Sequence, residues 1–226
     1  AEAIAALSSD DAPVEEPKPD DGKTEPTEPE PTEPEPAKPY KDVADFKDVK
    51  TTAWYYEPVK FVAARGLMVG VAEDRFGPDT ALTRAMMVQL LYAYEGSQPN
   101  DGRTKFRDVA PDAWYAKAVC WAAANGIVSG TSDTTFDPNT PITREQMVAI
   151  LQRYARFKGL EVESSGDLSR FPDHGQVSDW ATESMNWAVD VKIIAGSGGK
   201  ILPKGVATRA QVATVLKAFV ELMDRI

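Results

Sequence analysis

One cysteine and one histidine in 226 residues exclude several chemistries at the outset. The single Cys120 rules out a disulfide within the chain, and its setting in "AKAVCWAAANG", at helical spacing from apolar neighbours, reads as a small buried residue. Zinc takes about four ligands; His174 follows Pro172 and Asp173 in a loop-like stretch with no second His or Cys nearby, so neither a metal nor another cofactor is expected. No stretch approaches the roughly 20 apolar residues of a membrane span. "AEAIAALSSDD" lacks the basic start and longer apolar run of a secretion leader, which leaves export to a cleaved segment or a signal encoded elsewhere. Positive charge is also scarce. Residues 1–40 hold 12 Asp and Glu against 3 Lys, which is -9 of the net -10, and the remainder balances 22 basic residues against 23 acidic ones. That balance offers no basic face to nucleic acid or to a membrane surface.

What the first 40 residues do have is proline. "TEPTEPEPTEPEPAKP", from Thr24, places one at every second or third position and has almost nothing apolar to bury, the composition of a stiff, charged polyproline II spacer. At about 3.1 Å per residue, residues 13–39 reach on the order of 80 Å. A spacer implies something to hold away from something else, and residues 1–12 read as the end of whatever lies upstream.

Beyond the arm the chain repeats itself. "FKDVKTTAWYYEPVKFVAARGLMVG" from Phe46 and "FRDVAPDAWYAKAVCWAAANGIVSG" from Phe106 align at an offset of 60 residues, and Phe76, Pro78, Thr83 and Arg84 keep that register with Phe136, Pro138, Thr143 and Arg144. A third copy starts at Phe171, needs one inserted residue before Trp180, and rejoins at Pro203, Thr208 and Arg209. The boundaries fall at 41–100, 101–163 and 164–226. Each copy reads as helix, irregular link, helix. The first helix spans about Ala53 to Arg65 and closes at Gly66, with counterparts beginning near Trp114 and Trp180. The link carries proline turns, and the second helix has an i, i+3, i+4, i+7 stripe: Met87, Leu90, Leu91, Tyr94, then Met147, Ile150, Leu151, Tyr154, then Val212, Val215, Leu216, Phe219. Helix pairs this short cannot bury both stripes alone. The expected fold is therefore mainly α, three helix-loop-helix repeats in a pseudo-threefold assembly around one shared core.

Each second helix opens oddly. Thr143 and Thr208 have Gln146 and Gln211 three residues on, the spacing of a capping box, while Thr83 has Met86 there and can cap without reciprocation. The next residue is Arg84, Arg144 or Arg209, a cation at the positive end of the helix dipole, where it is disfavoured by roughly 0.3–1 kcal/mol. An anion meeting free N–H groups and guanidinium together would offset this. It could be internal, from Asp48, Asp108 and Asp173 of the F-x-D openings, or it could be a ligand. Trp121 and Trp187 fall on an apolar stripe and read as core; Trp54, Trp114 and Trp180 begin the first helices, where a ring can wall a groove, although its apolar area alone favours burial.

The ordered set of F-x-D-V, W-Y, G-(I/L)-x-x-G, F-x-P turn and T-R-x-x helix start, three times in register, resembles S-layer homology repeats. That resemblance implies a three-pronged pseudo-trimer at a bacterial surface that anchors an exported protein non-covalently to cell-wall polysaccharide, its inter-repeat grooves taking the glycan, often a terminal sugar bearing a pyruvate ketal. It shifts the preferred partner of the arginines from aspartate to ligand. Carried across by position, the glycan-binding set is Arg84, Arg144, Arg209, Asp48, Asp108, Asp173, Trp54, Trp114, Trp180, Gly70, Gly130 and Gly196. An arginine reserved for a ligand further implies that its removal weakens binding and leaves melting nearly unchanged. This sequence departs from the family in reading TRAM, TREQ and TRAQ, without the family's glutamate, and copy three has Lys192 against Gly66 and Gly126, and Leu202 against Gly77 and Asp137. Unequal grooves are expected, with copy three altered first or its groove gaining a second cation from Lys192. The resemblance implies a non-enzymatic module, monomeric, with its polysaccharide as partner. The rivals are a lattice-assembly module and the targeting part of a wall-active enzyme.

Overall fold

The computed structural model describes residues 41–225; the proline-rich arm lies outside them. Six α-helices carry the architecture: α1 Tyr56–Ala64, α2 Arg84–Tyr94, α3 Ala116–Ala124, α4 Arg144–Phe157, α5 Thr182–Asp190 and α6 Arg209–Met223. Short 3-10 turns stand at Val43–Asp45, His174–Gln176 and Asp179–Ala181, and among the described residues the only β structure is isolated bridges. No described helix is long and apolar enough to cross a membrane. The first helices start later than the spacing suggests, because the tryptophans sit in a preceding turn.

The second helices begin as their sequences dictate. Thr83, Thr143 and Thr208 each accept the N–H three residues on, and Gln146 and Gln211 return the bond to Thr143 and Thr208. Their stripes face the core, with Met87, Met147, Leu151, Val212 and Phe219 wholly inaccessible and Leu90 and Tyr94 partly buried.

The main helix pairings run between repeats rather than within them. α2 lies on α3, α4 on α5, and α6 returns to α1, so each pair joins the second helix of one repeat to the first helix of the next. Lys217 of α6 sits over the Phe61 ring of α1 at 5.5 Å, tying last repeat to first. The links close the same cycle. Leu82 N–H donates to Ala207 O at 3.0 Å, Ala207 N–H to Ile142 O at 2.9 Å, and Ile142 N–H to Leu82 O at 2.8 Å. All three residues are buried, so no water competes for these bonds. Farther along, Tyr154 meets Tyr94 at 6.1 Å and Phe219 at 6.0 Å between ring centroids, one aromatic from each second helix. This cyclic order is consistent with the expected pseudo-threefold arrangement, and it buries stripes that no single repeat could.

Copy three keeps the backbone of the others at two left-handed positions but changes the residue, as copy two does once at Asp137 (φ 57°). Lys192 (φ 62°) and Leu202 (φ 50°) adopt the left-handed region used by Gly66 (φ 65°) and Gly77 (φ 72°) in copy one. A side chain there meets the following carbonyl, so both positions are strained.

Candidate functional site

The arginines are the least expected part of the site. Arg84, Arg144 and Arg209 are all buried although charged, and none is among the ion pairs of the described residues. Each reaches into the link of the following repeat, cyclically: Arg84 Nε donates to Phe136 O at 2.9 Å, Arg144 Nε to Ile201 O at 2.8 Å, Arg209 Nε to Phe76 O at 2.8 Å. The aspartates hold the same residues from the other side. Asp108 accepts from Phe136 N and Asp137 N at 2.9 and 2.7 Å, Asp173 from Ile201 N and Leu202 N at 3.0 and 2.8 Å, Asp48 from Phe76 N and Gly77 N at 2.8 Å each. Arginine and aspartate are therefore linked through one peptide rather than paired. Burial works to raise the Asp173 carboxyl, but the Leu202 and Ile201 N–H groups outweigh it and hold it below the usual carboxylate range. Burial likewise disfavours charge on Arg84, with Asp137 and Asp108 opposing.

The helix ends offer an anion nothing. Arg84 N–H donates to Thr140 O and Ala85 N–H to Pro138 O, Arg144 and Glu145 to Gly205 O and Pro203 O, Arg209 and Ala210 to Thr80 O and Pro78 O, all at 2.9–3.0 Å. With the third N–H taken by the threonine cap, the expected meeting of an anion with free backbone donors is corrected: carbonyls of the neighbouring repeat occupy them. Only the guanidinium is left. Arg84 also donates Nη2 to Ser129 O at 3.2 Å, so two of a guanidinium's five N–H groups are engaged and the others remain to a ligand.

Those donors face clefts. One, of about 460 Å³, is lined by Arg84, Ser129, Gly130, Gln146, Arg153 and Trp180; the other, of about 400 Å³, by Arg144, Lys192, Gly196, Gln211, Thr214 and Trp54. Each draws on all three repeats: an arginine from one, a loop and helix face from the next, a tryptophan from the third. Trp54, Trp114 and Trp180 are 65, 60 and 53 % exposed, which corrects the burial their area favours. Each precedes its helix in a turn, and the following Tyr55 or Tyr115 braces the ring edge-on at 5.2 or 5.1 Å. Trp121 and Trp187 are core. The aspartates do not line the clefts but stand behind the turns that form them. The glycines have a packing reason: a Cβ on Gly130 would lie 2.3 Å from Ser132 O and Thr135 O. Around Arg209 the corresponding positions are Val69, Gly70, Val71 and Met86, of which the valines and Met86 are exposed. Apolar alteration thus enters from copy one, because a groove is composite and does not belong to the copy that supplies its arginine.

Gln146, Ala149, Ile150 and Arg153 recur on one face of α4, a second stripe beside the core stripe, and that spacing is the signal by which Arg153 could have been found.

With this geometry in place the comparisons are decisive as to family. The S-layer homology domain matches residues 45–86, 105–148 and 170–213. The chain belongs to the S-layer homology domain family. Each match runs from an F-x-D opening through the T-R start of the second helix. The chain is 31% identical over 191 residues to the Surface-layer 125 kDa protein of Lysinibacillus sphaericus, covering 82% of this chain and 16% of that protein. It is 30% identical over 183 residues to the Exoglucanase XynX of Acetivibrio thermocellus, covering 80% and 17% respectively. A Cellulosome-anchoring protein of Acetivibrio thermocellus is 28% identical over 149 residues, 63% of this chain and 30% of that one. The S-layer homology region is thus a small part of long relatives.

Proposed function

We propose that the chain anchors an exported protein non-covalently to the bacterial cell wall, as a non-catalytic module that binds secondary cell-wall polysaccharide in the grooves between repeats. The observation that carries this reading is a buried guanidinium with unspent donors beside an exposed tryptophan, in a cleft of sugar size. Arg84 with Trp180 and Gly130, and Arg144 with Trp54 and Gly196, would each hold an acidic terminal sugar, a pyruvate ketal supplying the carboxylate and the indole stacking on the ring. Arg209, Gly70 and Trp114 occupy the third set of equivalent positions, where exposed Val69, Val71 and Met86 replace the polar wall. Asp48, Asp108 and Asp173 act at one remove, by fixing the turns that receive the arginines. The surface-layer and anchoring relatives support placement at the cell surface.

The test is co-sedimentation of the full chain with purified walls, before and after removal of the polysaccharide or its pyruvate. Binding is expected to be lost in both treatments, and undiminished binding to bare peptidoglycan overturns the reading. The exposed Val69, Val71, Met86 and Trp114 favour a second reading, contact between copies. It predicts oligomers that grow with concentration in sedimentation velocity without glycan, where the anchor predicts a monomer.

A further inference from the structure

The cleft on Arg84 holds a second cation. Arg153 of α4 is half-buried and leans its Nη1 to 3.5 Å from Oγ of Ser129, the residue whose carbonyl also accepts Arg84. It lies outside the stretches that match the family. Two guanidiniums converge on one loop residue; Asp137 and Asp108 favour the charge on Arg84 and Arg153 opposes it, but of these only Arg153 lines the cleft. Among the described residues neither forms an ion pair. Like charges gathered in a partly desolvated cleft are unfavourable until an anion completes them.

The cleft on Arg144 reaches the same count from a different wall. The helix position of Arg153 is there Ala218, and the cation on its rim is the exposed Lys192, just past the end of α5, which also borders the neighbouring cleft of Asp167 and Asp190. Lys192 sits at φ 62° where Gly126 has 68°. Glycine takes that conformation without strain, so Lys192 costs backbone energy and adds an ammonium that glycine lacks. Around Arg209 both positions are empty of charge: Ala93 stands for Arg153 and Gly66 for Lys192.

We propose that Arg153 and Lys192 are specificity-determining residues, each giving its cleft a second cation for an acidic sugar, so that the Arg84 and Arg144 clefts carry the anchoring and the Arg209 position does not. The proposal rests on the acidic-glycan reading above. Two walls also mean two orientations, so the clefts approach the acid from different sides.

Isothermal titration of the full chain with a methyl glycoside bearing a pyruvate ketal, and with the same glycoside lacking it, tests this. The wild type is expected to take two equivalents of the ketal. Arg153→Met, which keeps the apolar stem, weakens one site roughly tenfold and leaves the other, as loss of one charge-assisted contact would; Arg153→Lys restores most of it. Lys192→Gly, which installs the residue of the other two copies and relieves strain, weakens the other site by a similar factor. Three equal sites in the wild type, or unchanged affinities in Arg153→Met and Lys192→Gly, overturn the proposal. If the wild type binds both glycosides alike, the acidic-glycan reading itself fails. If it prefers the ketal and loses that preference in the Arg84→Ala, Arg144→Ala double variant, while the second-cation variants bind as wild type, only the present proposal fails.

Discussion

Arg84→Ala tests the seam role of Arg84 apart from its proposed ligand role, because the guanidinium is bonded across the seam and also lines the cleft. Its Nε bond to Phe136 O is buried, and a hydrogen bond from a charged donor is worth about 1.5–3 kcal/mol. The bond to Ser129 O adds less, about 0.5 kcal/mol, because Ser129 is exposed and water can replace the donor. The guanidinium lies 4.7 Å from the centre of the Phe136 ring, a further ~0.5–1 kcal/mol. Against these, alanine relieves a cation at the first helical position, returning roughly 0.3–1 kcal/mol. The net loss is about 1.5–4 kcal/mol, which for a unit of this size lowers Tm by roughly 3–16 °C. Differential scanning calorimetry of the full chain measures it. A Tm within about 2 °C of wild type would refute the seam argument and reinstate the expectation that the arginine serves only a ligand. Glycan binding, measured at 25 °C where the variant is still folded, should fall in either case.

Three other perturbations follow from the same contacts. Glu145, whose side chain is 4 % exposed, pairs with Lys204 at 2.7 Å and accepts from Ser178; Lys204→Met should cost about 2 kcal/mol in urea unfolding, by stranding a buried charge, and Glu145→Ala far less, since Ala85 and Ala210 stand there in the other copies. The depressed Asp173 carboxyl contributes stability that is complete above its unfolded value, near pH 4, and lost as pH falls through its folded value; Asp173→Asn should melt lower at neutral pH, and its deficit should shrink on acidification in a Tm series. Leu202→Gly should match or exceed the wild-type Tm, by up to about 3 °C, whereas Leu202→Val should fall below it, because a β-branched residue tolerates φ 50° worst.

Local rules were readable from the residues one at a time. The threonine caps, the reciprocal glutamines, the core stripes and the buried Trp121 and Trp187 all follow from spacing, because capping and amphipathicity act within a turn or two of helix. Partner choice was not readable. A stripe on α2 is satisfied equally by α1 or by α3, and three similar repeats make the two pairings nearly degenerate in pattern. What separates them is the link: it returns Thr140 O and Pro138 O to the start of α2 from the next repeat, a contact across more than 50 residues that periodicity cannot express. The same contact explains the misjudged helix ends, whose donors looked free only because their acceptors lie in another copy. The exposed tryptophans are hidden for a similar reason: the rings stand in turns before the helices, Trp54 and Trp114 braced by the next tyrosine, and Trp54 and Trp180 walled by clefts built from other copies.

Composite grooves have a consequence for how binding and folding are joined. Trp180 and Arg84 wall one cleft, yet they belong to the third and first repeats, and both positions depend on the second repeat lying between them. A cleft therefore exists only when the ring is closed, and a glycan bound there stabilises the closed ring by its own binding free energy. The peptide clamp is the physical route: Arg84 rests on Phe136, which Asp108 fixes, two residues before the Pro138 carbonyl that receives the start of α2. On the proposed anchoring role, releasing the chain by opening any one seam would have to break those buried backbone bonds as well as the contacts to the sugar.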